Sequence, residues 1–447
     1  MSTLPLLGHA SLDAIFAWQA AGPVRVRHFI ADAQALAACL PAGQNQLNVC
    51  QDRYHFAVGF AAGLITGKTS LQPSSQSVDT LRQIQSEYPD AYCLCDDDFD
   101  SLDLPRLEFP LLSAVDRENI DKIPDIPVDL VAACLFTSGS TGCPMPHRKT
   151  WGKLVRNGQA EAERLGLFKH PHAIVGTIPA QHSYGFESTI LLAMHGNSPF
   201  WSGKPFYPQD IVSALNSVPA PRLLVTTPFH LSALLSAGVT LPPVDQLLSA
   251  TAPLSVDLAI EAETRFSAPL LEIYGSTESG QLASRQTSTG PLWTLLNAVR
   301  LTQEGEQTIA CGGHVEGEVP LSDSIEIHDD QHFLLLGRHA DLVNIAGKRT
   351  SLAYLNHQIS AIQGVVDAAF FLPDASSPEG ITRLTAFVVA PGMNSRQLLA
   401  ELRQRIDPIF LPRPLVFLDA LPRNSTGKLP RTHLQQLYAA RTQHAGH

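Results

Sequence analysis

Three short segments of the chain carry residue types that can do chemistry. The first, Phe136-Thr137-Ser138-Gly139-Ser140-Thr141-Gly142-Cys143-Pro144, follows the apolar run DLVAACL. Small hydroxyl residues between glycines let the backbone approach a polyphosphate closely, and they supply N–H and O–H donors without bulk. The same residues also suit a plain turn between elements. The second is Ile273-Tyr274-Gly275-Ser276-Thr277-Glu278. A strand ends, and an aromatic, a glycine, a hydroxyl and a carboxylate follow at once. The aromatic can stack on a purine, and the carboxylate beside a hydroxyl can hold Mg2+ next to phosphate oxygens. The alternative is a Ser or Thr capping the start of a helix. The third is Leu421-Pro422-Arg423-Asn424-Ser425-Thr426-Gly427-Lys428-Leu429. A lysine on such a loop can carry a cation to a reacting phosphate. A solvated lysine is the commonest fate of that residue type.

The elements that must position these segments follow from periodicity. Residues 46–66 read as a strand and an apolar-faced helix. Short β-rich runs then alternate with helical stretches: AYCLC, DLVAACLFTSG, HAIVGTIPA, PRLLVTTPFH and LLEIYGS, with WGKLVRNGQAEAERLG and SVDLAIEAETRF among them. Strands separated by helices imply an α/β fold, with sheets that are largely parallel and helices on their faces. SIEIHDD and HFLLLG read as a hairpin. The remaining hundred or so residues suffice for a small α+β domain. The expected division is 1–337 and 338–447.

The whole chain has 447 residues, roughly two to four domains' worth. Its net charge of −11 argues against bulk nucleic-acid binding and against an anionic membrane surface as the main partner. No window is long and apolar enough to span a membrane. The first residues lack a basic stretch followed by a long apolar core, so no secretory signal is expected. Seven irregularly spaced cysteines fit reduced thiols and a cytoplasmic location. Cys93 and Cys95 precede Asp96, Asp97 and Asp98, but the run fits a strand end and a solvated turn better than a metal site. Gly67-Lys68-Thr69 resembles the end of a phosphate-binding P-loop. The first glycine of that pattern would fall at Ala62, so a P-loop NTPase is excluded, and a helix end is expected there.

In combination the three segments resemble the adenylate-forming (acyl-CoA synthetase, AMP-dependent ligase) superfamily. TSGSTGCP is similar to its phosphate loop, YGSTE to its adenine and magnesium motif, and PRNSTGK to its catalytic-lysine motif. GRHADLVNIAGKR at 337–349 resembles its hinge segment. The family has a ribose-binding aspartate 14 residues before the glycine of that segment, and Asp323 stands 14 before Gly337. His182-Ser183-Tyr184-Gly185 resembles its H-x-x-G beside the acyl pocket. Ser249-Ala250-Thr251-Ala252-Pro253-Leu254 resembles its S-G-G-A-P-L strand end at the adenine.

The resemblance implies a large N-terminal α/β domain and a small mobile C-terminal lid. It implies ATP and Mg2+ as cofactors, and activation of a carboxylic acid as acyl-AMP with release of pyrophosphate. The acyl group then passes to a thiol, of CoA or of an acyl carrier protein. Thr137, Ser138, Gly139, Ser140, Thr141 and Gly142 would hold the β- and γ-phosphates. Tyr274 and Gly275 would line the adenine with Ala252, and Thr277 would contact the α-phosphate. Glu278 would hold Mg2+, Asp323 and Arg338 the ribose, and Lys428 would bridge the acyl carboxylate and the α-phosphate. The acyl pocket would draw on the stretches around His182–Glu187, Phe229, Ala252 and Tyr274–Ser276. These are mostly apolar and aromatic, without a cation for a second carboxylate, so a lipophilic or aromatic monocarboxylate is expected. The phrasing of several motifs is similar to the ligases of aryl-polyene and xanthomonadin-type pigment pathways, which load a hydroxybenzoate-like acid onto an acyl carrier protein. A fatty or 3-hydroxyacyl acid is the rival.

The chain also departs from the pattern. The family's loop continues Pro-Lys-Gly, but this one reads Pro144-Met145-Pro146, leaving Arg148 or Lys149 as substitutes for the lysine. The family's pivot aspartate is Ala340, and the glutamate common after the hinge is missing. The chain is also shorter than typical members. A non-catalytic adenylate- or acyl-binding sensor or scaffold is the alternative these departures leave open.

Overall fold

The computed structural model describes residues 2–73, 76–97, 104–110, 117–138, 144–305, 307–338, 342–345, 348–373, 383–423 and 429–444. The chain divides into two compact units. The first comprises Met1–Thr302, Ile309–Pro320 and Asp329–His332, and the second comprises the rest.

Two sheets form the frame of the first unit. The smaller runs in the order Pro144–Thr150, Val131–Ser138, Thr69–Gln72, Asn45–Asn48, Tyr92–Cys95, Arg106–Glu108. All its neighbours are parallel except the first pair, which is antiparallel. At the centre of the larger sheet, Leu270–Ser276, Gln246–Ser249, Arg222–Thr226 and Ala173–Gly176 lie side by side and parallel. These runs are apolar on both faces because both faces are covered. Val175, Leu224 and Leu247 pack under the helices Pro208–Asn216, Pro228–Ser236 and Val256–Phe266. Their chain neighbours Ile174, Leu223, Val225 and Leu248 point the other way, into a core with Phe56, Phe60, Trp151 and Phe186. The period of two in a strand produces that split. Each fully buried aromatic of this kind contributes roughly 1.5–3 kcal/mol.

The helices end where their chemistry says they should. Asp52 caps Arg53–Ile65 by accepting from the Tyr54 and His55 N–H groups. That helix closes at Thr66, and Gly67 follows at φ +73°, as expected for the Gly-Lys-Thr stretch. Ser255 caps Val256–Phe266 through the Leu258 N–H.

The second unit is α+β. It holds Asp323–Ile327 paired with residues 333–338, and the hairpin of Leu342–Ile345 with Lys348–Ser351. The helix Leu352–Ser360 leads to a sheet of Asp367–Phe371, Thr385–Val389 and Leu415–Phe417. Phe370 and Val388 pack with Leu355, Leu398 and Leu402 on one face of that sheet. Phe371 and Phe387 pack with Leu434 on the other. The helix Ser395–Arg405 opens with a reciprocal cap, in which Asn394 and Gln397 each accept the other's N–H. Among the described residues no helix is long and apolar enough to cross a membrane, and no cluster of His, Cys, Asp and Glu could alone hold a metal. Cys93 and Cys95 are buried in their strand, and burial raises both thiol pKa values, Cys93 to about 12.

Candidate active site

The strand Leu270–Ser276 does not end before Tyr274. It continues through Ser276, turns over Thr277-Glu278-Ser279, and returns as Gly280–Arg285. No helix opens here, so the Ser and Thr do not act as helix caps. The reversal is tight enough that a Cβ on Gly275 would sit 2.3 Å from the Gly280 carbonyl oxygen, and Gly280 itself adopts φ +73°. The Ser276 N–H donates to the Ser279 hydroxyl at 3.2 Å, and the two hydroxyls lie 3.1 Å apart. The turn therefore holds Thr277 and Glu278 at its tip. Tyr274 packs against Trp293, with ring centroids 5.6 Å apart.

The strand Val131–Ser138 leads to the expected phosphate loop, and Pro144–Thr150 returns antiparallel beside it, with Pro144 opposite Ser138. Gly139, Ser140, Thr141 and Gly142 lie outside the described residues. Thr137 is described, and its hydroxyl lies 3.0 Å from His147 Nε2. That nitrogen is in turn 3.6 Å from a carboxylate oxygen of Glu278. Lys149 donates to the Glu278 carbonyl oxygen at 2.7 Å. Thr137, His147, Lys149 and Glu278 thus meet in one cluster. The Thr277 hydroxyl lies 3.3 Å from that of Ser183 in the H-S-Y-G segment.

This cluster changes the reading of the loop's missing lysine. Met145 is 54% exposed and carries no charge. Lys149 is buried and committed to the Glu278 backbone, and Arg148 is exposed. The buried cation on this strand, Lys149, is thus spent on a backbone carbonyl. Burial lowers the Lys149 and His147 pKa values, while the charges of Glu187 and Glu278 respectively oppose the shift.

The expected acyl-pocket stretch is less apolar than its letters suggest. His182 accepts the Tyr184 N–H at 3.2 Å, and the Tyr184 hydroxyl donates to the Leu248 carbonyl at 3.1 Å. After Gly185 the helix widens into an i→i+5 turn over Phe186–Leu191, a form that often marks functional segments. Glu187 lies in that turn, buried, and burial pushes its pKa up to about 8. Ser188 accepts from the Gln281 side chain at 2.7 Å. Close by, Glu161 is fully buried beside Ser188 and Gln281, and burial raises its pKa to about 7. The stretch thus carries one buried carboxylate, Glu187, among the apolar residues expected of it.

At the strand end before Ala252, Thr251 adopts φ +80°. Leu254 N–H donates to buried Glu272, whose other oxygen takes Arg285 at 2.8 Å and Thr287 at 2.7 Å. Phe229 is 44% exposed and packs edge-on against His230. In the second unit, Asp323 and Arg338 are register partners across one hairpin. Lys428, with Asn424–Gly427 before it, lies outside the described residues, as does Ala340.

The donor set suits a hard cation. A carboxylate at Glu278 and hydroxyls at Thr137 and Thr277 are the oxygen ligands Mg2+ accepts beside nucleotide phosphates.

A family model described as AMP-binding enzyme matches residues 28–328, and one described as AMP-binding enzyme C-terminal domain matches 356–428. The chain belongs to the AMP-binding enzyme family. Its fold is that of adenylate-forming enzymes, and its relatives are AMP-forming acid–thiol ligases. A 4-coumarate–CoA ligase of Rhodobacter capsulatus is 30% identical over 301 residues, covering 66% of this chain and 74% of the relative. A 2-succinylbenzoate–CoA ligase of Bacillus velezensis is 22% identical over 421 residues, covering 86% and 84%. The o-succinylbenzoate CoA synthetase of Bacillus subtilis, solved with ATP and a magnesium ion, superposes with a TM-score of 0.82 at 17% identity, over 97% of this chain and all of that one.

Within this AMP-binding enzyme, motif reading missed His147, Glu161 and Gln281, and it took Glu187 only as the end of an apolar stretch. His147 had a signal: it lies two residues from Met145 and from Lys149 on one strand, so it shares their face. The buried glutamates had none, because an acid bound for the interior looks in sequence like one bound for the surface.

Proposed function

We propose that the chain joins a carboxylic acid to AMP and then passes the acyl group to a phosphopantetheine thiol, that of an acyl carrier protein or of CoA. The observation that carries this reading is the meeting of Thr137, at the mouth of the phosphate loop, with Glu278 at the tip of the Y-G-S-T-E turn through one histidine. Two motifs more than a hundred residues apart converge, which supports one shared site for a nucleotide's phosphates and its metal.

In this reading the acid's carboxylate oxygen attacks the α-phosphorus, and the bond to pyrophosphate breaks. Both reactants are anions, so the site must offset their repulsion. Mg2+ held by Glu278 supplies charge neutralisation when bound. Thr137, Ser138, Gly139, Ser140, Thr141 and Gly142 cradle the β- and γ-phosphates. Thr277 meets the α-phosphate, and Tyr274, Gly275 and Ala252 form the adenine wall. Asp323 and Arg338 hold the ribose. Lys428, on the C-terminal lid of residues 338–447, bridges the carboxylate and the α-phosphate. His182, Ser276 and Phe229 border the acyl group. The 4-coumarate–CoA and 2-succinylbenzoate–CoA ligases among the relatives favour an aromatic acid over a plain fatty chain.

A carrier protein fits as the acceptor for a charge reason. Residues 338–447 carry 12 Lys and Arg against 7 Asp and Glu, in a chain whose net charge is −11. Arg396, Arg403, Arg405 and Arg413 are exposed there and offer complementarity to an acidic partner. CoA is the second reading, favoured by the CoA ligases among the relatives. Acyl transfer from preformed acyl-AMP tests the choice. Transfer to holo-carrier protein that weakens with salt and exceeds transfer to CoA supports the first. Saturable turnover with CoA alone replaces it by the second. Nucleotide binding without acyl-AMP formation from any acid would favour the sensor reading.

A further inference from the structure

We propose that His147 is a second protein ligand of the nucleotide-bound divalent cation, which makes this chain's metal site a mixed nitrogen–oxygen site preferring Mn2+ or Co2+ to Mg2+. The inference rests on the proposed adenylation site and deepens it. Its ground is the geometry of three atoms. His147 Nε2 lies 3.6 Å from a Glu278 carboxylate oxygen and 3.0 Å from the Thr137 hydroxyl. Two neighbouring donors bound to one six-coordinate ion at about 2.1–2.2 Å stand roughly 3.0–3.1 Å apart. The Thr137 hydroxyl and the ring nitrogen have that spacing, and the Glu278 carboxylate oxygen at 3.6 Å reaches it by a small side-chain rotation.

The rest of the strand explains why a nitrogen ligand would be kept here. Met145 leaves the loop without a side-chain cation, and Lys149 is occupied by the Glu278 backbone. His147 is the group between them, and its side chain is only 18% exposed. The Lys149 bond fixes the backbone of Glu278, so the carboxylate is presented to the imidazole by a rigid support. Mg2+ strongly prefers oxygen, whereas imidazole gains affinity along the series from Mn2+ to Co2+ and beyond. A site with one carboxylate and one imidazole discriminates in that direction.

Pulsed EPR on the full-length protein with Mn2+ and a non-hydrolysable ATP analogue tests this. The expected result is nitrogen modulation from a directly bound imidazole. His147→Gln should abolish it and weaken Mn2+·nucleotide binding by about 10–100-fold, with a much smaller change for Mg2+. A bound complex without nitrogen modulation, or modulation unchanged in His147→Gln, overturns the inference while leaving the adenylation reading intact. The wild-type spectrum decides even if the variant folds poorly. Failure of the nucleotide to bind with either metal would overturn both.

Discussion

Thr251 shows how a single residue records its site. It is β-branched and sits at φ +80°, a region that L side chains enter at a cost of about 1–2 kcal/mol. The resemblance puts a glycine at this position, beside the adenine wall. Thr251→Gly should therefore be neutral or stabilising by up to about 1 kcal/mol, although a glycine elsewhere in a strand costs about that much. Urea unfolding checks this, and a loss of more than 1 kcal/mol would show that the threonine's contacts outweigh its strain. At the same scale, Lys428 is placed by resemblance alone. Lys428→Ala should lower acid adenylation by about 100–1,000-fold and leave the unfolding midpoint unchanged.

Two elements set the site, the Leu270–Ser276 hairpin and the strand pair at the phosphate loop. The hairpin depends on Gly275, where a methyl group would collide with the Gly280 carbonyl. Gly275→Ala should distort the turn and reduce adenylation at least as much as loss of Glu278, even though it removes no reactive atom; adenylation at the wild-type rate would refute this. Glu272 braces the neighbouring strand end by taking Leu254, Arg285 and Thr287 together while buried. Glu272→Ala should cost about 2–4 kcal/mol and raise the KM for ATP, because Arg285 loses its carboxylate and the 249–254 segment its anchor. Stability unchanged within 1 kcal/mol would contradict that assignment. The alternating strands and helices were legible in the sequence because their periodicity is strong, as at Ala173–Gly176 and Val256–Phe266. The course of the Y-G-S-T-E segment was not. Its reversal depends on Gly275 and Gly280 meeting across a strand pair, a contact that periodicity does not encode.

For the molecule as a whole, the buried ionisable groups set the response to pH. Burial lowers the pKa of His9, His230 and His314 to about 4 and that of His195 to about 3. The folded state keeps these rings neutral while the unfolded chain protonates near 6.5, so stability is lost as pH falls below that value. Glu161 and Glu187 act oppositely. Their pKa values rise from 4.5 to about 7 and 8, so the folded state retains protons that the unfolded chain has released, and stability falls as pH rises toward 8. With the histidines eroding stability toward acid and the two glutamates toward alkali, a maximum is expected between the two limbs. Urea midpoints from pH 5 to 8.5 should show that dome, and Glu161→Gln should flatten its alkaline side; an unchanged alkaline slope would refute the assignment. None of this was legible in the sequence, because a pKa depends on which side chains the fold withdraws from water. The family was legible, because most of the motifs that carry the resemblance are short runs of contiguous residues.

The central claim is that this chain joins an acid to AMP. Acid-dependent exchange of labelled pyrophosphate into ATP tests it most directly, with hydroxybenzoates, cinnamates and medium-chain fatty acids offered in parallel. The account predicts exchange with an aromatic acid bearing a polar substituent, lost in Glu278→Gln and in Lys428→Ala. Tight ATP binding with no exchange for any acid, or exchange that survives both substitutions, would contradict it.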